Sequence, residues 1–131
     1  MILIDTSAWI EFLRATGSPT DRSVVAVAGA DRYAITDPIA AELLAGATGA
    51  EQARRVRAII DSGRFFPVRP LFDYEVAADL YRECRRSGAT PRSLADCLIA
   101  AVAIGNDLEV LAVDRDLEVI ARHSPLRLTR V

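Results

Sequence analysis

The chain contains no lysine, and all sixteen of its basic residues are arginine. A P-loop depends on its lysine, and the phospho-acceptor sites of receiver domains and haloacid-dehalogenase-type phosphatases normally use one as well. The absence of lysine therefore argues against these classes of aspartate-bearing α/β protein.

Histidine and cysteine are also scarce. His123 is the only histidine and no G-x-S-x-G segment precedes it, so neither a histidine-based zinc site nor a Ser-His-Asp triad is predicted. We expect His123 on the surface near the end of a helix. Cys84 and Cys97 match no metal or redox spacing, and Cys97 is expected to be an ordinary buried thiol.

Long apolar segments are missing too. No run approaches the roughly 18 residues that span a bilayer. The amino-terminal residues include no basic region of the kind that begins a signal peptide. We therefore expect a cytoplasmic protein with no membrane partner.

The composition is typical of a globular protein, since 51% of the 131 residues are hydrophobic and 26% are charged. This length and balance predict one domain over residues 1–131. The net charge of −2 argues against a general nucleic-acid binder with a basic face. An acidic active site would itself lower the total, however, so the distribution of charge matters more than its sum.

Short apolar segments alternate with helical segments along the chain. Two of the apolar segments, 2–4 and 110–113, contain no polar residue, as in parallel strands covered on both faces. The alternation predicts a three-layer α/β/α domain with a mostly parallel central sheet of four to five strands. The predicted strands are 2–4, 33–36, 65–68, 110–113 and 126–129; the predicted helices are 6–14, 23–30, 38–45, 51–60, 72–86, 93–104 and 117–122.

Two aspartates directly follow predicted strands. Asp5 comes after the strand 2–4, and Asp114 comes after the strand 110–113. Ligands of parallel α/β sheets gather outside the carboxyl ends of the strands, which share one edge of the sheet. Each aspartate could instead simply cap the helix that follows it, and this alternative stays open for either residue taken alone.

Two further acids lie on predicted helices among apolar residues. Asp96 shares a helix face with Ile99, where an unpaired carboxylate would be costly, although Ser93 and Asp96 also match an S-x-x-D capping box. Glu42 is the only charge in the segment 39–44, and its alternative is an ordinary solvated acid on a helix.

The four acids are more informative together than singly. Two carboxylates about 4 Å apart repel by roughly 4 kcal/mol at an effective dielectric constant of about 20, so four in one pocket need a counter-charge. Hard oxygen ligands suit Mg²⁺ or Mn²⁺. Such an ion can bind a phosphate, lower the pKa of an attacking water and stabilise the leaving oxygen. The set therefore predicts hydrolysis of a phosphodiester.

In four ordered segments the chain resembles the PIN-domain ribonucleases, and among them the VapC-type toxins of prokaryotic toxin–antitoxin pairs. The resemblance covers essentially the whole chain. It implies a PIN-like fold and a Mg²⁺- or Mn²⁺-dependent endoribonuclease that cleaves structured RNA, often transfer or ribosomal RNA, to leave 3′-hydroxyl and 5′-phosphate ends. The matching segments are residues 2–9 (ILIDTSAW), 39–43 (IAAEL), 94–103 (LADCLIAAVA) and 111–117 (LAVDRDL).

The resemblance also implies roles for individual residues. Thr6 or Ser7 corresponds to the hydroxyl that follows the first acid and supports it. Ala112 departs from the pattern, because many relatives carry threonine two residues before the fourth acid. The catalytic, metal-binding acids would be Asp5, Glu42, Asp96 and Asp114, with Asp116 as a frequent fifth.

Partners are implied in the same way: RNA as substrate, a second copy of the chain in a homodimer, and a cognate antitoxin. The C-terminal segment of such an antitoxin fills a groove and often places an arginine at the acidic pocket. Trp9, Phe12 and Leu13 are candidates to line this groove, although a place in the core is as natural for Trp9 and Leu13. The candidates to hold RNA phosphates, against the alternative of ordinary solvated arginines, are Arg54, Arg55, Arg57, Arg82, Arg85, Arg86 and Arg92.

Two other functions remain open from the residues alone. The same acids could serve a DNA nuclease or another phosphoesterase. The fold could also be a non-catalytic binding module, although the presence of all four acids counts against this.

Overall fold

Five short strands form the central sheet of the computed structural model, which describes residues 1–131. All four strand pairings are parallel, and the order across the sheet is β3-β2-β1-β4-β5. The prediction of a mostly parallel sheet of four to five strands is therefore confirmed. The strands are β1 (Ile2–Ile4), β2 (Tyr33–Ile35), β3 (Arg64–Phe65), β4 (Glu109–Leu111) and β5 (Arg127–Leu128).

Seven helices form two groups that make the outer layers, which confirms the three-layer α/β/α prediction. No helix is both long and apolar enough to cross a lipid bilayer. The helices are α1 (Thr6–Leu13), α2 (Pro19–Gly29), α3 (Asp37–Gly46), α4 (Gly49–Ser62), α5 (Phe72–Arg86), α6 (Leu94–Gly105) and α7 (Arg115–Arg122). In the first group α1 packs on α2 and α3, and α3 on α4; in the second, α5 packs on α6 and α7, and α6 on α7.

The core lies where the two central strands meet helix α6. Leu3 and Ile4 of β1 and Val110 and Leu111 of β4 are fully buried, whereas Glu109 at the start of β4 is partly exposed. Residues 99–103 of α6 are buried as well, because this helix carries apolar residues on nearly every side. Cys84 and Cys97 are buried free thiols, which confirms the expectation for Cys97.

Trp9 is a core residue, which corrects its candidate place in a partner groove. Its side chain is 1% exposed, and its ring meets the rings of Phe12 and Tyr33 edge-on at 5.6 and 5.1 Å between centroids. The Tyr33 hydroxyl donates to the backbone carbonyl of Ile59 at 2.7 Å. This cluster joins α1 to β2 and α4, and it leaves no face of Trp9 for a partner.

Strand β4 ends at Leu111, two residues earlier than predicted. The amide of Val113 donates to Ser7 Oγ at 3.0 Å and not to a neighbouring strand. The reason is that β1 ends at Ile4, and the chain turns into α1 beside it. Asp114 consequently lies three residues beyond the strand and caps α7, which begins at Arg115, two residues earlier than predicted.

The strand order creates a crevice at the carboxyl ends of β1 and β4. These two strands are neighbours, but the chain continues from β1 to β2 on one side and from β4 to β5 on the other. In open parallel sheets this reversal is where ligands bind, outside the carboxyl ends of the strands. The sequence segments that follow β1 and β4 therefore meet in one place.

Candidate metal centre

Asp5 lies directly after β1 and caps α1. Its Oδ2 accepts hydrogen bonds from the backbone amide of Ser7 at 3.0 Å and from Ser7 Oγ at 2.6 Å, while Oδ1 has no hydrogen bond within the protein. The residue is 4% exposed. The capping alternative is thus correct for Asp5, but it occupies only one of the two carboxylate oxygens.

Asp114 repeats this arrangement at the start of α7. Its Oδ1 accepts from the amides of Asp116 at 2.7 Å and Leu117 at 3.1 Å, while Oδ2 has no hydrogen bond within the protein. The two strand-end aspartates therefore each keep one carboxylate oxygen that accepts no hydrogen bond of ordinary geometry from the protein.

Asp96 lies in the first turn of α6 and is half-buried. The capping box that the sequence allows is not formed, because Ser93 Oγ accepts from the amide of Ala95 at 3.1 Å. The carboxylate of Asp96 makes no hydrogen bond within the protein. A helix cap therefore does not explain this acid.

Glu42 lies on α3, which also contacts α6, and the residue as a whole is exposed. Partial burial of its carboxyl and the charges of Asp5 and Asp114 raise its pKa, so it is not an isolated solvated acid. The buried hydroxyl of Thr6 is close enough to oppose this rise, but it makes no hydrogen bond of ordinary geometry.

Asp116 completes the cluster on α7 and is 6% exposed. One carboxylate oxygen each from Asp96, Asp114 and Asp116 lie within 4.8 Å of one another. Oδ2 of Asp116 accepts from the amide of Arg92 at 3.1 Å and pairs with its Nε at 3.4 Å. Arg92 is the only basic residue that forms an ion pair with this cluster.

The five acids influence one another electrostatically. Burial and the charges of Asp114, Asp5, Asp116 and Glu42 raise the pKa of Asp96 to about 7. Burial, together with the charge of Asp114, raises the pKa of Asp5, although the hydrogen bonds from Ser7 oppose the rise. The sequence prediction that these acids converge is consistent with this geometry.

Ser7 connects the two strand ends. Its Oγ donates to Asp5 and accepts from the amide of Val113, so one hydroxyl positions the first acid and the segment that leads to Asp114. Of the two hydroxyls predicted to support the first acid, Ser7 contacts Asp5, whereas Thr6 lies beside Glu42.

These residues fit a hard divalent cation. The donors are carboxylate oxygens, which Mg²⁺ and Mn²⁺ prefer, and several of them have no partner within the protein. The buried Thr6 hydroxyl also lacks a partner. The raised pKa values of three of the acids indicate negative charge that the protein itself does not neutralise.

A groove of about 250 Å³ opens beside the acids, between α1, α3 and α4. Thr6 and Glu42 lie at its acidic end, and Leu13 lines it as predicted. Trp9 and Phe12 do not line it. The remaining lining residues, which the sequence reading did not single out, are Ile10, Arg14, Leu43, Gly46, Ala47, Gln52 and Val56.

Most of the arginines predicted to contact RNA have partners within the protein. Arg55 lies over the ring of Phe12 at 5.9 Å, and Arg85 lies over Tyr81 at the same distance. Exposed helical ion pairs contribute little stability, so they would not prevent an RNA contact, and the role of these arginines stays a prediction. The helical pairs are Arg54 with Glu51, Arg57 with Asp61, Arg82 with Asp79 and Arg86 with Glu83.

Two arginines near the acids were missed. Arg115 and Arg122 belong to α7 and line a second cleft beside Asp116. Their spacing of seven residues places both on one face of a helix, and Arg115 directly follows Asp114. This signal was present in the sequence.

Known proteins are similar to this chain in sequence and in architecture. The PIN domain matches residues 2–123. The chain is 41% identical over 129 residues to ribonuclease VapC11 of Mycobacterium tuberculosis. This alignment covers 97% of this chain and 96% of the relative. DNA-bound VapBC from Salmonella typhimurium is similar with a TM-score of 0.71 and 20% identity, covering 98% of this chain and 96% of that one. VapBC-5 from Mycobacterium tuberculosis is similar with a TM-score of 0.68 and 25% identity. The match covers 98% of this chain and 97% of that one.

The raised pKa of Asp96 predicts a pH-dependent stability in EDTA. The folded protein retains a proton on Asp96 up to about pH 7, whereas the unfolded chain releases it at about pH 4. The unfolded state therefore binds fewer protons over this range, and the free energy of unfolding should fall as the pH rises from about 4 to about 7. Urea unfolding at a series of pH values measures this slope.

Asp96→Asn should flatten the slope, since it removes the titrating group. Asp31→Asn is the matched control, because Asp31 is exposed and forms no ion pair, and its slope should equal that of the wild type. Equal slopes for wild type and Asp96→Asn would contradict the electrostatic description of the cluster.

Proposed function

This chain belongs to the PIN-domain family and, within it, to the VapC ribonuclease toxins, and from this premise we propose that it is a Mg²⁺- or Mn²⁺-dependent endoribonuclease. The observation that carries the proposal is the acidic cluster, in which four elements supply five carboxylates at one edge of the sheet. Structured RNA is the proposed substrate class, with transfer or ribosomal RNA as the expectation from the family resemblance.

The residues proposed to hold the ion are Asp5, Glu42, Asp96 and Asp114, with Asp116 as the fifth. A divalent cation in such a site supplies Lewis-acid activation of a phosphate and of an attacking water. Asp5 and Asp114 suit this role because hydrogen bonds hold one oxygen of each in place, so the other is oriented before any ligand arrives. Ser7 fixes the first of these carboxylates and is proposed as its support.

Asp96 is proposed as the acid whose charge most depends on the ion. Burial and four neighbouring carboxylates favour its protonated form near neutral pH. A bound cation favours its ionised form instead, because metal ligands must be deprotonated. Asp96 therefore couples the protonation of the cluster to the binding of the ion.

Replacement of Asp96 or Asp5 by asparagine tests the proposed function. Each variant should fold, because the amide is nearly isosteric with the carboxyl, but each should lose Mg²⁺ and Mn²⁺ binding in calorimetry and RNA cleavage in a gel assay. EDTA should abolish the wild-type activity. Asp31→Asn is the control and should cleave RNA as the wild type does.

The substrates in this assay should include cellular RNA, single-stranded DNA and p-nitrophenyl phosphate. Mapping of new 5′ ends in cellular RNA, after brief expression of wild type against Asp96→Asn, would locate the cleavage site. Cleavage that survives in both variants or in EDTA would overturn the metal-dependent mechanism. Cleavage of DNA alone would overturn the RNA assignment, and the absence of both metal binding and cleavage would favour a non-catalytic binding module.

We also propose that a cognate antitoxin occupies the groove between α1, α3 and α4. VapBC complexes are among the structures that share this fold. The groove has an apolar wall that includes Ile10, Leu13 and Leu43, and it ends at Glu42. An amphipathic segment could place its apolar face on this wall and a basic side chain at the acids.

Ile10→Asp should weaken antitoxin binding by at least about tenfold, because a carboxylate in the groove must be desolvated by an apolar partner. Ile10 is 36% exposed, so the change should not disturb the core. The measurement is calorimetry with the proposed cognate antitoxin, which is to be sought as the product of a small open reading frame upstream in the same operon. Val25→Asp is the control, since Val25 is an exposed valine on α2. Equal affinity of the two variants for the antitoxin would contradict its proposed place in the groove.

A homodimer is the remaining proposal about partners. Three large apolar or aromatic side chains are exposed at the start of α5: Leu71 by 66%, Phe72 by 56% and Tyr74 by 50%. Clustered exposed apolar residues commonly mark protein interfaces. Sedimentation velocity of the wild type should give twice the mass of one chain, and a monomer at all concentrations would contradict the dimer.

A further inference from the structure

A second cleft lies beside the acidic cluster, between the α5–α6 loop and α7. Its volume is about 420 Å³. Small residues of the loop, Gly88 and Ala89, form one part of the wall, and α7 forms the other. Three arginines converge on it from these two elements, and we name it the arginine cleft after them: Arg92, Arg115 and Arg122.

The arginine cleft carries positive charge that the protein does not neutralise. Asp116 is the only acid that lines it, so three arginines line the cleft together with a single aspartate. The side chains of Arg115 and Arg122 form no ion pair and no hydrogen bond within the protein. Arg92 contacts Asp116 through its amide and Nε, which leaves its terminal nitrogens free. This differs from the helical arginines of α4 and α5, most of which have an acid beside them on the same helix.

The arrangement of the cleft follows the axis of α7. Arg115, Val119 and Arg122 are four and three residues apart, so they form one stripe along the helix. At 1.5 Å of rise per residue the two arginines are separated by about 10 Å along the axis. Asp116 belongs both to the wall of the cleft and to the acidic cluster. The cleft therefore adjoins the proposed metal centre at Asp116.

We propose that the arginine cleft binds RNA phosphates next to the cleaved bond, with Arg115 and Arg122 as positioning residues. This inference rests on the proposed function, because it takes the acidic cluster as the place of cleavage. A strand with one phosphate at the acids has neighbouring phosphates within reach of the adjoining arginines. Guanidinium groups bind phosphate through paired N–H donors.

A nucleic-acid backbone fits the cleft better than an acidic peptide does. The lining consists of arginine, aspartate, threonine, glycine and alanine, with Val119 as the one larger apolar residue. It therefore offers charge and hydrogen-bond donors but little apolar surface of the kind that anchors a peptide. Contacts of this type hold the backbone and carry no base specificity, so the cleft should position RNA of any sequence.

The salt dependence of RNA binding tests this inference without requiring cleavage. The experiment uses Asp96→Asn as a non-cleaving background and adds Arg115→Gln with Arg122→Gln. The double replacement should weaken binding of an RNA oligonucleotide by at least about tenfold. It should also lower the slope of log K against log salt by about 1.4, since each lost phosphate contact on a single strand lowers it by about 0.7.

Arg32→Gln in the same background is the matched control. Arg32 is exposed, forms no ion pair, and precedes β2 at the opposite, amino edge of the sheet, so affinity and slope should stay unchanged. Arg122→Lys retains the charge and should recover part of the affinity that Arg122→Gln loses. Thermal unfolding of each variant shows whether it is folded.

Steady-state kinetics in the otherwise wild-type enzyme separate positioning from chemistry. Arg122→Gln should raise KM for a long RNA several-fold and leave kcat unchanged, because Arg122 lies about 9 Å of helix rise beyond Asp116 and its side chain forms no ion pair with any of the acids. If both arginine variants bind and cleave RNA as Arg32→Gln does, or if only their affinity for the antitoxin changes, the inference is wrong. Failure of the wild type to cleave RNA would instead count against the proposed function, while the salt slope would still decide whether the cleft binds RNA.

Discussion

The pairing of β1 with β4 is the constraint on which the site depends. The amide of Asp5 donates to the carbonyl of Leu111, and Ser7 Oγ accepts from the amide of Val113, so the segments that carry Asp5 and Asp114 are locked side by side. Helices α3 and α6 then add Glu42 and Asp96 from opposite layers of the fold. The repulsion among these acids destabilises the folded state, and the burial of the strands and α6 offsets this effect. A bound cation would reduce the repulsion itself.

Capping and metal binding are compatible roles for one carboxylate. From the sequence, helix capping was an alternative to a functional role for Asp5 and Asp114, because each precedes a helix. In the structure the caps use Oδ2 of Asp5 and Oδ1 of Asp114, and each carboxylate retains an oxygen without a partner. A cap even favours ligation, since it fixes the rotamer and reduces the entropy that is lost when a ligand binds. The structural role thus prepares the functional one.

Elements with strong local signals were predictable, whereas contacts between distant segments were not. Helix α5 begins and ends at the predicted residues, because its apolar periodicity is regular and Gly88 follows it. The end of β4 was misplaced by two residues, since apolar Ala112 and Val113 continue the strand pattern although no neighbouring strand remains to pair with them. The sequence of Ser93 and Asp96 matches a capping box, but the box is not formed in the structure. The convergence of the four acids was expected from the order of their motifs, but which of their oxygens are free depends on backbone geometry that no motif encodes.

The distribution of charge explains how a chain with a net charge of −2 can suit a polyanionic substrate. Negative charge is concentrated at the acidic cluster, which a divalent cation would offset, and the unpaired arginines of α7 lie immediately beside it. The ion pair between Arg92 and Asp116 marks the boundary between the two regions. It holds Oδ2 of Asp116 against Arg92 and leaves Oδ1 without a partner, as the helix caps do for one oxygen each of Asp5 and Asp114. The same ion pair holds Arg92 in the wall of the arginine cleft, so Asp116 belongs to the acidic cluster and also positions a basic residue of the neighbouring cleft.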